Sequence, residues 1–331
     1  MPDGSMRRAL AVLAVFLLLA PACLLLALAV GSVSLSAADL WSALNSNAPT
    51  VQHELVMQLR LPRAGNAFAT GGMLALAGVL MQVLLRNPLA DPYILGVSGG
   101  AAVATLISML LGIGGLWLTG NAFIGALCSM LLVFSLAHGQ GSWTTTRLLL
   151  SGVVIAAGWG ALISLILTVS SNQQIFGMLF WLMGDLSYAG NPVPGLLITL
   201  VGLVLSLGVA RQLNLLAHGD LMAASLGVSV PRLRVQLYLL ASLLAAAAVT
   251  IAGSIGFIGL LVPHLVRLMG IHDHRLLLPA STLLGGSLLM LADTLARTVI
   301  APQQLPVGVI TALLGIPLFL LLMQRSMARI A

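Results

Sequence analysis

Residues 62–85 read PRAGNAFATGGMLALAGVLMQVLL, a run whose one formal charge, Arg63, stands at its start and whose next neighbour in charge, Arg86, lies just past its end. A hydrocarbon core about 30 Å thick takes roughly 20 apolar residues of helix to cross, so this stretch has the length of a transmembrane span. Similar runs lie on both sides of it. Bounded by polar, Pro or Gly punctuation, they fall at about 9–30, 94–111, 118–137, 148–169, 193–210, 233–255, 257–269, 276–300 and 307–323. With 62–85 they predict an all-α, polytopic membrane protein of ten transmembrane helices, organised as one transmembrane domain over residues 1–331. The run at 257–269 is short and flanked by glycine. The polar segment 170–191, between the fifth and sixth spans, is expected to face water.

Composition agrees with this reading. Of 331 residues 60% are apolar and 7% charged, whereas a soluble domain carries roughly 25% charged residues to dress its surface. The 35 glycines suit close packing between membrane helices. Cys23 and Cys128 both sit inside apolar runs, which indicates packing rather than a disulfide scaffold or a thiolate metal site. The start, with Arg7-Arg8 before an apolar stretch and Cys23, resembles a secretion signal, but the apolar run continues to Val30 and further spans follow.

All 14 basic residues are arginine, and the formal net charge is +6. The arginines are scattered singly between apolar runs, so no basic and aromatic surface for nucleic acid is indicated. They read as topology signals. With an even number of spans, eleven arginines (7, 8, 86, 147, 211, 232, 234, 267, 275, 325 and 329) fall on the side of the termini and three, Arg60, Arg63 and Arg297, fall opposite. Basic residues are retained in the cytoplasm, so both termini are expected there.

The three exceptions stand at the outer mouths of the second and ninth spans. As single residues they would read as interfacial anchors. As a trio they predict a cationic outer surface suited to an acidic partner, because guanidinium forks pair bidentately with carboxylates. Asp293 lies one helical turn before Arg297, which offers a structural ion pair as the competing use and a proton relay as a further one.

Residues 212–231, between the sixth and seventh spans, are punctuated like a short helix. Asp220 can cap its start, Leu221, Met222, Ala223, Ala224, Ser225 and Leu226 favour helix, and Gly227 before Val228 can end it. Such a helix either lies among headgroups or acts as a lever into a cytoplasmic engine.

Several blocks then occur in order: Arg60-Leu61-Pro62-Arg63; Arg86-Asn87-Pro88-Leu89-Ala90-Asp91-Pro92 running to Leu95-Gly96-Val97-Ser98-Gly99-Gly100; Gly256-Phe257-Ile258-Gly259-Leu260 through Pro263-His264 and Arg267; Asp273-His274-Arg275; and Leu305-Pro306-Val307-Gly308 with Gly315-Ile316-Pro317. Along nearly its whole length the sequence resembles the permease subunits of iron-chelate (siderophore and haem) and cobalamin uptake ABC transporters. The resemblance implies a type II importer permease in the bacterial inner membrane, working as a homodimer with the path between the two copies. Its implied partners are two ATP-binding subunits and a periplasmic substrate-binding protein. By the same resemblance Arg60, Arg63 and Arg297 dock glutamates of that binding protein, Asp220 to Val228 form the coupling helix that enters the ATPase, and Asn87, Leu89, Thr145 and Thr146 line the cytoplasmic gate.

No Gly-x-x-x-x-Gly-Lys-Ser/Thr loop is present, and a chain without lysine cannot supply one, so ATP and magnesium are expected on the partner ATPase and no cofactor or metal on this chain. His272-Asp273-His274 has no third and fourth ligand nearby and reads as a turn. The 14 methionines are spread through apolar runs as soft packing residues. Siderophore, haem and cobalamin permeases share these blocks, so the sequence leaves the cargo open. The rival class, an ion-coupled secondary transporter, would need buried carboxylates, and Asp293 alone qualifies.

Overall fold

In a computed structural model that describes residues 4–31, 33–45, 50–138, 144–187 and 190–327, the chain is a bundle of helices, with no strand among the described residues. The order is α1 (Gly4–Ala29), α2 (Ala37–Asn45), α3 (Val51–Leu85), α4 (Val97–Leu110), α5 (Leu116–Ala137), α6 (Thr145–Val169), α7 (Asn172–Leu182), α8 (Val193–Gly208), α9 (Ala210–Ala217), α10 (Asp220–Ser225), α11 (Val230–Ala252), α12 (Ile258–Leu268), α13 (His274–Thr298) and α14 (Val307–Met327). Six helices are long and apolar enough to cross a bilayer. With the bent pair α8–α9 and the shorter apolar helices α4, α12 and α14 they make ten segments, at the ten runs expected from sequence.

The centre of the bundle is α3. Nearly all of its membrane stretch is buried, enclosed by α13, α11, α8 and α12. Lipid tails are as apolar as leucine, so close van der Waals packing over small residues must hold such a centre together. Where α3 crosses α13, a Cβ on Gly71 would lie 2.2 Å from the carbonyl oxygen of Gly285. Only a hydrogen fits on α3 at that crossing, and the approach lets Met73, Leu74, Leu76, Leu80 and Met81 be fully enclosed. Several serine and threonine hydroxyls inside the bundle bond back to their own helices, as Thr282 Oγ1 does to the Leu278 carbonyl at 2.9 Å. They therefore cost little to bury.

Three departures from the sequence reading have physical causes. First, α3 begins at Val51, eleven residues before the expected start, and passes through a π-helical stretch at Leu55–Arg60. Pro62 lacks an amide hydrogen and sits in the first turn after that stretch, so the helix continues through it instead of starting there. Second, the polar segment that begins at Ser170 is not a plain connector but carries a helix. Ser171 and Gln174 form a capping box that starts α7, Met178 is fully buried against α4 and α6, and Gln174 Nε2 donates to the carbonyls of Met109 and Leu110 at 3.3 Å. The polar residues that suggested a loop are the cap. Third, α12, at 11 residues, rises only about 16 Å and reaches half-way across a bilayer. It opens after non-helical residues 254–257, with Phe257 at φ 71. Irregular backbone survives at membrane depth where protein covers it. Here the cover is α3, since a Cβ on Gly78 would overlap the carbonyl of Gly259.

The sequence reading also missed α2. Ser36 and Asp39 cap it reciprocally, with Ser36 N–H donating to Asp39 Oδ2 at 3.0 Å and Asp39 N–H to Ser36 Oγ at 3.1 Å. The Ser36 hydroxyl, which donates to Asp39 Oδ2 at 2.6 Å, and the Ser36 amide hold the Asp39 carboxyl below the usual carboxylate range.

Candidate functional site

Polar and charged residues gather at the two ends of the bundle. At one end, Arg63 stands in the first turn after the π-helical stretch of α3, and Asp293 and Arg297 stand one turn apart near the end of α13. Arg63 grips Asp293 with Nε at 2.9 and 3.0 Å from the two carboxylate oxygens and a second nitrogen 2.8 Å from Oδ1. Arg297 approaches from the other side, its Nε 3.1 Å from Oδ2 but without hydrogen-bond alignment. The remaining Arg63 nitrogen donates to Gln304 Oε1 at 2.8 Å and Ser187 Oγ at 3.3 Å, and Ser187 Oγ in turn bonds Asp185 at 2.6 Å.

Arg60 has a different setting. It is 3% exposed and donates to the carbonyls of Leu28, Ala29 and Val33. The first two are orphan acceptors in the last turn of α1, where a cation also complements the helix dipole. Arg60 is thus a cap for a neighbouring helix. The expected exposed cationic surface is accordingly corrected to a recessed network. Arg297 is 8% exposed, and the Arg63 side chain is 11% exposed. Three residues apart on one helix, Arg60 and Arg63 nevertheless reach different partners, the end of α1 and Asp293 of α13. Of the two uses weighed for Asp293, the geometry is that of an ion pair, shared with Arg63 as well as Arg297.

At the opposite end, the connector after α3 and the helix α10 meet. Arg86 takes the left-handed conformation, φ 49, that closes α3. Its guanidinium pairs with Asp220, whose other oxygen accepts from Arg234 at 2.7 Å. The expected capping role of Asp220 is therefore corrected: Gly219, at φ 120, occupies the cap position, and Asp220 is the first helical residue with its carboxylate directed at two arginines. The helix is six residues long. Leu226 caps its end, Gly227 turns at φ 84, and Val228 N–H donates to the Ala223 carbonyl at 3.0 Å. Ala223 is buried and anchors the helix, while Leu221 is 89% exposed, with Met222, Ala224, Ser225 and Leu226 also exposed. Apolar side chains held outward on a polar end are what a protein partner or headgroups would cover.

The four gate candidates lie at this same end. Asn87 Oδ1 accepts the Leu89 amide at 2.9 Å, a local turn that presents Leu89 at 39% exposure. Thr145 and Thr146 belong to the first turn of α6, capped by Thr144, and not to the loop before it. Thr145 borders a small crevice with Leu84, Leu148 and Arg234, which brings α6 against the end of α3. His272-Asp273-His274 forms the start of α13, where Asp273 accepts from the Arg275 amide at 2.9 Å and from Asn214 Nδ2 at 2.8 Å. Burial alone would push the Asp273 carboxyl up, but those hydrogen bonds and the charges of Arg275 and His274 hold it below the usual value.

Comparison with known proteins places this architecture. The model of the FecCD transport family matches residues 17–325. The hemin transport system permease protein HmuU of Yersinia pestis is 42% identical over 304 residues, covering 89% of this chain and 90% of that protein. The vitamin B12 import system permease protein BtuC of Escherichia coli O17:K52:H18 is 39% identical over 319 residues, covering 95% and 94%. Among solved structures, a metal-chelate type ABC transporter in an inward-facing conformation superposes with a TM-score of 0.85 at 31% identity, over 95% of this chain and 99% of that one. The bundle with its central helix, the half-length α12, the projecting α10 and these whole-length matches lead to one assignment: the chain belongs to the FecCD transport family, as a multi-pass permease subunit of an ABC transporter that leaves ATP hydrolysis to a partner ATPase.

Proposed function

We propose that this permease imports a metal chelate, a ferric siderophore, haem or cobalamin, from the periplasm to the cytoplasm by alternating access at the interface of two copies. The reading rests on α10. A six-residue helix carrying Leu221, Met222 and Leu226 outward, and pinned through Asp220 to both Arg86 and Arg234, is a stiff lever with an apolar tip. Movement of that tip by an ATP-binding partner would pass to the end of α3 through Arg86 and to the start of α11 through Arg234. Asn87, Leu89, Thr145 and Thr146 border these same helix ends, and their proposed role is the cytoplasmic gate. With α10 on the inner side, both termini are cytoplasmic and the Arg63–Asp293–Arg297 network faces the periplasm, in accord with the arginine bias.

Docking of the binding protein is assigned to that outer network. It holds two guanidiniums, Arg63 and Arg297, against the single Asp293 carboxylate, and Arg60 is satisfied by carbonyls alone. An acidic side chain arriving from outside would find uncompensated positive charge there, with Arg63 as the first point of contact. The ion-coupled alternative is disfavoured by the same network, because the Asp293 carboxylate is already engaged by two guanidiniums.

The test is ATPase stimulation in the reconstituted complex by binding protein loaded with each cargo class. Stimulation by one class and its loss in Leu221→Asp support the reading; wild-type stimulation in Leu221→Asp rejects α10 as the coupling element.

A further inference from the structure

A second cavity lies beside α10, at the arginine-rich end. Of about 740 Å³, it is framed by the ends of α3, α9 and α12 and the start of α13. Its wall includes Gln82, Arg86, Asn214, Arg267, Asp273 and His274. The charges there are unequally matched. Arg86 is paired with Asp220, and Asp273 is held by Asn214 and the Arg275 amide. Arg267 has no such counterpart. Among the described residues no carboxylate lies within ion-pair distance of it, and its one bond runs to Gln82 Oε1, whose amide nitrogen is engaged by the Leu260 carbonyl.

His274 repeats the pattern. The side chain is 4% exposed, and its Nδ1 lies 2.6 Å from Asn214 Oδ1, an acceptor because Asn214 Nδ2 is committed to Asp273. Nδ1 therefore carries the hydrogen, and Nε2 is left without a partner. An orphaned buried imidazole nitrogen, an acceptor in this tautomer, and a guanidinium without an anion belong to two residues of one cavity wall, and a phosphate monoester monoanion, with a P–OH to donate and an oxyanion to accept, would meet both deficits.

We propose that this cavity is a phosphate-binding site, with Arg267 as its principal cation and His274 as its second polar contact. The guanidinium fork matches phosphate geometry. The volume exceeds a bare ion and falls within the 300–1,000 Å³ common for small-molecule sites, so the phosphate would be one end of a larger molecule. Basic pockets between helices at the cytoplasmic side of a membrane bind anionic headgroups, which makes a lipid and a soluble phosphate ester the two sources of the same chemistry.

The test is calorimetric titration of the full chain in neutral detergent with three probes: dioctanoyl phosphatidic acid, whose phosphate is a monoester, dioctanoyl phosphatidylcholine, whose phosphate is a diester, and inorganic phosphate. Saturable binding is expected, weakened about tenfold or more in Arg267→Gln, since loss of one charge-assisted contact is on that scale. Because Arg267→Gln touches a partly buried bond, His272→Glu at the exposed rim is the second variant, and it too should weaken binding by adding a negative charge. Preference for phosphatidic acid over both other probes assigns the lipid source; binding of inorganic phosphate with the same sensitivity assigns the soluble one. Absence of binding, or affinities indifferent to both variants, overturns the proposal. So does release of the ATPase partner by these variants without phosphate binding, which would make the cavity a protein contact. Uptake does not enter the readout, so the outcome is separable from the import reading.

Discussion

Arg63 and Asp293 lie 230 positions apart in sequence and are joined by contacts of 2.8, 2.9 and 3.0 Å between the start of one membrane helix and the end of another. This ion pair ties the central helix α3 to α13 at one end of the crossing that the glycines close further in. Removing one partner of a buried pair strands the other charge, at a cost of about 3–5 kcal/mol. Asp293→Asn should therefore lower the melting temperature of the purified protein sharply, and Asp293→Asn with Arg63→Gln should recover part of the loss. A proton-relay role would instead leave stability intact and abolish transport.

The glycine crossing makes a second prediction. Gly71→Leu should prevent accumulation of folded protein in the membrane, because even its Cβ meets the backbone of Gly285. Gly208→Ala, at a helical site with nothing within 4 Å of an added Cβ, should fold as wild type. Detergent size-exclusion profiles read both.

Asp220 is half-exposed, so its two ion pairs are screened by solvent and each is worth only about 0–1 kcal/mol. Asp220→Ala is expected to change the melting temperature little while loosening α10, and should be read as reduced ATPase stimulation in the assembled complex. A large drop in melting temperature would contradict the lever assignment and make Asp220 a structural keystone.

Asp91, in the connector between α3 and α4, supplies a pH prediction. Burial pushes its carboxyl up to about 6, against the opposing hydrogen bond from the Tyr93 amide. A carboxyl raised above its unfolded value of about 3.9 contributes stability that is fully present below that value and is lost as pH rises through about 6. Melting temperature should thus fall between pH 4 and 7 through this group, and Asp91→Asn should flatten that part of the profile.

Ten apolar runs were legible because lipid imposes one long periodless pattern per span, and the family resemblance followed from blocks such as 86–92 and 256–260. What the sequence concealed was direction. Arg60 and Arg63 have a helical spacing that promises a shared face, but their long side chains part, one to cap α1 and the other to Asp293, neighbours that no local pattern names. Asp220 has the residue type of a cap and acts as an anchor, since Arg86 and Arg234 converge on it from helices distant in sequence. The helix Asn172–Leu182 was hidden because its cap, Ser171 and Gln174, is as polar as a loop.

The most direct test is uptake into proteoliposomes holding the permease and its ATPase, supplied with binding protein and, in turn, ferric siderophore, haem and cobalamin. Accumulation of one cargo that requires ATP and survives a proton ionophore is the predicted result. Accumulation that proceeds without ATP and collapses with the ionophore would contradict the account.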